Sequence, residues 1–142
     1  MSEHRINGEC LCGEVKFKTR LPHHIDACHC KMCQKWAGAV FVGADFRKAD
    51  DVIFISEATL KWYESSDWAK RGFCTTCGSS LFYRLKDQDD FWAVCAGALD
   101  LPSGQTLGKE IFIDEKPDLY SLAGNHPKLT GAEFFAALEQ EK

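Results

Sequence analysis

Cys74-Thr75-Thr76-Cys77-Gly78 contains two cysteines followed directly by a glycine, and Cys10-Leu11-Cys12-Gly13 repeats this arrangement near the start of the chain. A glycine at the end of such a turn takes a positive φ without a Cβ clash. The backbone N–H groups of the turn can then point at the sulfur atoms and stabilise thiolates. Four thiolates complete a tetrahedral zinc site. We therefore predict one closed, structural zinc site made of Cys10, Cys12, Cys74 and Cys77.

A redox dithiol is the alternative for Cys74 and Cys77, because thioredoxin-like motifs have the same Cys-x-x-Cys spacing. No βαβ pattern surrounds this pair, which favours zinc. The Cys-x-Cys spacing of the first pair also differs from that of zinc ribbons. A metal that joins the two pairs would close a long loop and couple folding to metal binding.

A third cluster, Cys28-His29-Cys30-Lys31-Met32-Cys33, has no glycine behind it. Three protein ligands leave one zinc position open for water or substrate, as in catalytic zinc sites. Three thiolates give the zinc site a formal charge of about −1. Such a site should acidify water poorly and should suit a soft thiol ligand, held as thiolate. We therefore predict a second zinc, so two per chain, at Cys28, Cys30 and Cys33, with thiol chemistry rather than hydrolysis.

A fourth protein ligand would close this second site. The candidates are His23, His24, His29 and Cys95. In an extended chain His29 points away from its neighbours, and His23 and His24 would need a tight turn to reach the metal. Cys95 lies in an apolar run, where a free cysteine is more often a core residue. We expect the site to be open and Cys95 to lie outside the chemistry.

Arg71 is the candidate contact for a substrate carboxylate, because a fixed guanidinium can clamp a carboxylate through two hydrogen bonds. The alternative is an ordinary surface ion pair.

The bulk composition is that of an ordinary globular protein of 142 residues, with 45% hydrophobic residues and a net charge of −4. We expect one domain over residues 1–142. The acidic balance and the lack of a basic run argue against nucleic acid and anionic membranes as partners. No signal peptide or membrane span is visible, which predicts a cytoplasmic protein. Closely spaced cysteines then indicate metal or redox sites. No oligomeric state is indicated.

Short alternating or apolar runs predict a mainly β, antiparallel fold. The predicted strands are 13–19, 39–42, 52–55, 60–63, 80–85, 91–98 and 110–113. The predicted loops are 49–51, 87–90 and 102–104. A short C-terminal helix is indicated by the capping-box spacing of Thr130 and Glu133 and by the apolar residues that follow. A helical turn over 34–37 is expected after the third cysteine cluster.

Three motifs carry a resemblance to a known family. They are Gly8-x-Cys10-x-Cys12-Gly13-x-Val15, Cys28-His29-Cys30-x-x-Cys33 with Gly38-Ala39, and Arg71-Gly72-Phe73-Cys74-x-x-Cys77-Gly78-Ser79. They resemble the motifs of the glutathione-dependent formaldehyde-activating enzyme family, which also includes centromere protein V. The resemblance extends from Gly8 to about Gly131.

The resemblance implies a β-tent fold, with sheets stapled by zinc, and the same division of the cysteines into a structural and an active zinc site. It also implies a carbon–sulfur lyase that forms or cleaves S-hydroxymethylglutathione, the adduct of glutathione and formaldehyde. The partner would be a small thiol or a thiol–aldehyde adduct. Two alternatives stay open: a zinc-stabilised protein-binding module without enzymatic activity, and a thiol or metal sensor.

Overall fold

The computed structural model describes residues 4–140, which are mainly β. The strands are β1 Ile6–Glu9, β2 Lys16–Thr19, β3 His24–Cys28, β4 Phe41–Phe46, β5 Val52–Ser56, β6 Leu60–Tyr63, β7 Ala69–Cys74, β8 Ser80–Leu85, β9 Gln88–Cys95, β10 Lys109–Ile111 and β11 Lys128–Leu129. The α-helices are α1 Lys31–Ala37 and α2 Gly131–Gln140, and 3-10 turns occur at Ala49–Asp51, Ala96–Ala98 and Ile113–Glu115. The predicted mainly β fold with a short C-terminal helix is confirmed.

The described chain divides into two compact units. The first contains residues 4–24 and 43–105, and the second contains residues 25–42 and 106–140. A single domain over residues 1–142 stays a prediction. None of the helices in the described part of the chain has the length and apolar character needed to cross a membrane.

The first unit is built from antiparallel strands. β2 lies between β1 and β5, with Phe17 opposite Gly8 on one side and Phe54 on the other. A second set of strands runs in the order β6, β7, β8, β9, followed by the part of β4 that lies in this unit. This pairing matches the predicted antiparallel arrangement.

Aromatic side chains fill the core of the first unit. Phe82 lies at the centre, with ring centroids 4.9 Å from Phe17 and 5.5 Å from both Phe54 and Trp92. The pairs are edge-to-face, the geometry that aromatic quadrupoles favour. Phe17 and Phe82 have no exposed surface, so the strands are held by a closely packed aromatic cluster.

The second unit adds parallel pairing to the mainly antiparallel fold. β10 runs parallel to both β3 and β11, with Glu110 opposite Ala27 and Lys128. Of these three strands the sequence predicted only the one over 110–113, because parallel partners need long connections and no turn signal between neighbouring strands reveals them. The parallel ladder places Ile111 beside Cys28.

Both helices in the second unit begin with side-chain caps. Thr130 N donates to Glu133 Oε1 over 2.8 Å, and Glu133 N donates to Thr130 Oγ1 over 3.1 Å, so the predicted capping box is confirmed. α1 begins three residues before the predicted turn, because Cys30 Sγ accepts a hydrogen bond from Cys33 N and caps it.

Several predicted boundaries were wrong. The loop expected over 87–90 is shorter, because Gln88 already pairs with Leu85 and begins β9. β9 then ends at Cys95, where the chain turns into a 3-10 segment. Similarly, the strand expected over 110–113 ends at Ile111, since Phe112 has a left-handed backbone with φ 57°.

Candidate metal centres

The thiols of Cys10, Cys12, Cys74 and Cys77 form one group, which we call the four-thiol group, and their sulfur atoms all lie within 4.8 Å of one another. Cys12 Sγ is 3.6 Å from Cys10 Sγ and 3.8 Å from Cys74 Sγ. The two turns close as predicted, with φ values of 83° at Gly13 and 78° at Gly78. The two cysteine pairs therefore meet in the folded chain.

Hydrogen bonds surround these sulfur atoms. Val15 N donates to Cys10 Sγ over 3.3 Å. Thr59 Oγ1 lies 3.4 Å from Cys74 Sγ, and Ser79 Oγ lies 3.2 Å from Cys77 Sγ. Sequence reasoning missed both hydroxyl groups. Ser79 directly follows the second turn, so its position beside Cys77 could have been predicted from the sequence. Thr59, in contrast, reaches Cys74 only through the pairing of β6 with β7.

These hydrogen bonds lower the pKa of two of the four thiols. The Ser79 hydroxyl and backbone N–H groups lower the pKa of Cys77 to about 5. The Thr59 hydroxyl and backbone N–H groups lower the pKa of Cys74. At Cys12, the backbone N–H of Glu14 acts to lower the pKa, but desolvation and the neighbouring thiols outweigh it and raise the pKa to about 12. Full ionisation of the group therefore requires a cation.

The thiols of Cys28, Cys30 and Cys33 form the second group, which we call the three-thiol group, also within 4.8 Å of one another. Cys28 ends β3, Cys30 caps α1 and Cys33 lies in the first turn of that helix. Among residues 4–140, no further cysteine, histidine or carboxylate ligand joins the group. Hydrogen bonds to the Cys30 and Cys33 thiols, together with burial, raise the pKa of Cys28. Three adjacent thiolates without a cation would repel one another.

Both groups suit a thiophilic cation such as zinc. Thiolate is a preferred ligand of Zn²⁺, and four thiolates satisfy its tetrahedral coordination. Three thiolates satisfy it only in part.

The ring nitrogens of His29, a candidate for the closing ligand, make hydrogen bonds to other residues. The side chain is completely buried. Its Nε2 lies 2.7 Å from Glu110 Oε1, and its Nδ1 lies 3.0 Å from the Tyr120 hydroxyl. Cys95 belongs to neither thiol group within the described chain, and burial raises the pKa of its thiol.

Glu110, His126 and Tyr120 complete a polar cluster around His29 that sequence reasoning missed, in which Glu110 is buried and the other two residues are partly exposed. Glu110 Oε2 lies 2.5 Å from His126 Nε2. Burial acts to raise the pKa of Glu110, but hydrogen bonds from His126 and His29 outweigh it and lower the pKa. Burial raises the pKa of Tyr120, so its hydroxyl keeps its proton. One signal was available: Glu110 is a charged residue at the start of the apolar run 111–113.

Arg71 is buried in β7, with 2% of its surface exposed. Its Nε donates to Ser65 Oγ over 3.3 Å, and its guanidinium carbon lies 4.9 Å from the centroid of the Tyr83 ring. A guanidinium held in this way has a fixed orientation. Its contact with a substrate carboxylate stays a prediction.

The fold and the two thiol groups define a mainly β protein with two candidate sites for thiolate-bound metal. Residues 5–115 match the family described as glutathione-dependent formaldehyde-activating enzyme. The chain belongs to this family, and the resemblance seen in the three cysteine motifs is confirmed.

Two relatives and one solved structure are similar to this chain. The chain is 26% identical over 124 residues to an uncharacterized lyase of Schizosaccharomyces pombe, covering 87% of this chain and 89% of the relative. It is 28% identical over 85 residues to a putative glutathione-dependent formaldehyde-activating enzyme of Halomonas elongata, covering 54% of each. A crystal structure of a Rhodobacter sphaeroides protein is similar in fold, with a TM-score of 0.57 and 22% identity over 86% of this chain and 98% of that one.

Proposed function

We propose that this chain is a zinc-dependent carbon–sulfur lyase that forms or cleaves the adduct of a small thiol, such as glutathione, and an aldehyde, such as formaldehyde. The observation that carries the proposal is the three-thiol group, because it offers a metal three ligands and the described chain supplies no fourth. Family membership supports the choice of substrates.

The two groups are proposed to have different roles. Cys10, Cys12, Cys74 and Cys77 would hold a structural zinc, since four thiolates leave no position for a substrate. Cys28, Cys30 and Cys33 would hold the active zinc. When bound there, zinc would supply a positive charge that lowers the pKa of a substrate thiol.

The reaction balances without a redox partner. In the condensing direction, the sulfur of the thiol forms a bond to the aldehyde carbon. The electron pair of the C=O double bond moves to oxygen, which takes up the proton that the thiol has lost. Cleavage is the reverse, so the site must hold a thiol and move one proton, and no oxidant or reductant is consumed.

The surrounding residues keep the three-thiol group in a defined geometry. Cys33 N donates to Cys30 Sγ over 3.4 Å, and Gln34 Nε2 bridges the carbonyl oxygens of His29 and Glu115 over 2.6 and 2.9 Å. Lys31 N donates to Glu115 Oε1 over 3.0 Å. A site held in this way orients a bound thiol before an aldehyde arrives, which lowers the entropic part of the barrier.

The proposal is tested by titrating the zinc-loaded protein with glutathione and following zinc coordination by X-ray absorption. We expect the average number of sulfur ligands per zinc to rise as the substrate thiol enters the open position. S-methylglutathione, which has no free thiol, is the matched control and should leave the spectrum unchanged. A zinc coordination shell that does not change with glutathione would contradict the proposed function.

A further inference from the structure

His29 lies between two cysteines of the three-thiol group, and hydrogen bonds fix both its backbone N–H and its carbonyl group. Its N–H donates to Ile111 O over 3.0 Å, and its carbonyl oxygen accepts from Gln34 Nε2 over 2.6 Å. Because His29 is the single residue between Cys28 and Cys30, its orientation sets the directions in which these two side chains leave the backbone.

The ring of His29 is held as firmly as its backbone. An ionised carboxylate only accepts hydrogen bonds, so the contact with Glu110 requires the proton on His29 Nε2. His29 Nδ1 then accepts from the hydroxyl of Tyr120, 3.0 Å away. His126 Nε2 donates to the second carboxylate oxygen of Glu110, which prevents the carboxylate from rotating away from His29.

This cluster is costly if it serves stability alone. The side-chain exposures are 0% for His29, 1% for Glu110 and 6% for His126. Buried charged networks are often no more stabilising than apolar residues of the same volume. Near metal sites, by contrast, carboxylate–histidine contacts orient the ligands and tune their affinity. Here Glu110 contacts no candidate ligand itself. It contacts His29, which lies between the candidate ligands Cys28 and Cys30.

We propose that Glu110 is a positioning residue, which acts through His29 to fix the spacing of the Cys28 and Cys30 thiols for metal binding. His126 supports it by fixing the carboxylate. This inference rests on the proposed function, because it assumes that the three-thiol group binds a metal.

The test uses the full-length protein loaded with cadmium-113, since NMR gives a separate cadmium resonance for each thiol group. The variant is Glu110→Gln, which keeps the volume of the side chain but replaces one acceptor oxygen with a donor. One of the two histidine N–H groups then loses its acceptor. We expect the resonance of the three-thiol group to shift or broaden and its cadmium affinity to fall by about 10–100-fold. The resonance of the four-thiol group should not move.

Asp51→Asn is the matched control. Asp51 is also a buried carboxylate, 8% exposed, and its Oδ2 accepts from Arg47 N and Lys48 N over 3.1 and 2.9 Å. This variant should lower the stability of the fold and leave both cadmium resonances in place. If Glu110→Gln does not fold, Tyr120→Phe decides, because it removes the hydroxyl that donates to His29 Nδ1 and should also shift the resonance of the three-thiol group.

The outcomes separate this inference from the proposed function. The positioning role alone would be overturned if the unsubstituted protein shows two resonances and the resonance of the three-thiol group is unchanged in the folded variants. A missing resonance for the three-thiol group in the unsubstituted protein would overturn the proposed function and this inference together. A shift in Glu110→Gln and none in Asp51→Asn would support the positioning role.

Discussion

Ser79 Oγ lies 3.2 Å from Cys77 Sγ, so the hydroxyl can donate to the thiolate. This contact and the nearby backbone N–H groups lower the pKa of Cys77 to about 5. Cys28, in the other group, has its pKa raised by the thiols of Cys30 and Cys33 and by burial. The Cys77 thiol is therefore the easier of the two to ionise before any metal binds.

Alkylation of the metal-free protein should show this difference. Iodoacetamide reacts with thiolates, so at neutral pH we expect Cys77 to react much faster than Cys28, with half of its maximal rate near pH 5. The folded-state pKa lies below the ordinary value of 9.0, so the stabilisation of the fold by the Cys77 thiolate is complete above pH 9.0. This contribution is lost as the pH falls towards 5. Mass spectrometry of labelled peptides measures the rates, and circular dichroism confirms that the metal-free chain is folded.

Ser79→Ala should move the alkylation midpoint of Cys77 to a higher pH, because the thiolate loses its hydroxyl donor. Ser66→Ala is the control, since Ser66 Oγ accepts from Trp68 N and Ala69 N and touches no thiol. Equal midpoints in all three proteins would show that the hydroxyl does not stabilise the thiolate.

Removal of one ligand should have different consequences in the two groups. Cys74→Ser should lower the melting temperature strongly, because a metal there closes a loop between Cys12 and Cys74, which are 62 positions apart. Cys30→Ser should cost one zinc per chain and the activity, with a much smaller change in melting temperature. Elemental analysis and calorimetry measure these quantities. Equal losses of stability would argue that both metals are structural, as in a binding module.

Gly8 opens the first cysteine motif and lies under the ring of Phe17, its partner in the β1–β2 ladder. A Cβ at Gly8 would overlap this ring, which is completely buried. Gly8→Ala should therefore destabilise the fold by about 1–3 kcal/mol. Gly97→Ala is the matched control, because a Cβ there meets no atom within 4 Å, and it should change the stability by less than about 0.5 kcal/mol. Urea denaturation distinguishes the two, and equal effects would refute the steric explanation.

Arg71 remains the predicted contact for a substrate carboxylate. Arg71→Lys keeps the charge but removes the planar pair of donors. We expect the KM for glutathione to rise about tenfold or more, the equivalent of one lost charged hydrogen bond. The rate with 2-mercaptoethanol, a thiol without a carboxylate, should be unchanged. An equal loss with both thiols would instead indicate that Arg71 acts through its contacts with Ser65 and Tyr83.

Much of the candidate chemistry was predictable from neighbouring residues. Glycines at positions 13 and 78 indicated two left-handed turns, and the structure has both. Thr130 and Glu133 indicated the start of α2 because capping depends on groups three residues apart. The three-thiol group also needed only one short segment. In each case the interacting atoms belong to the same turn, so local geometry dictates the contact.

The contacts that surround these sites could be seen only in the folded chain. Glu110 reaches His29 across 81 positions, because β10 runs parallel to β3 and brings their side chains together. His126 then reaches the same carboxylate from the segment before β11. Thr59 likewise meets Cys74 only where β6 pairs with β7. Cysteine spacing in one turn follows from bond lengths and backbone angles, whereas these contacts depend on strand pairing, which is decided by the free energy of burying distant segments together.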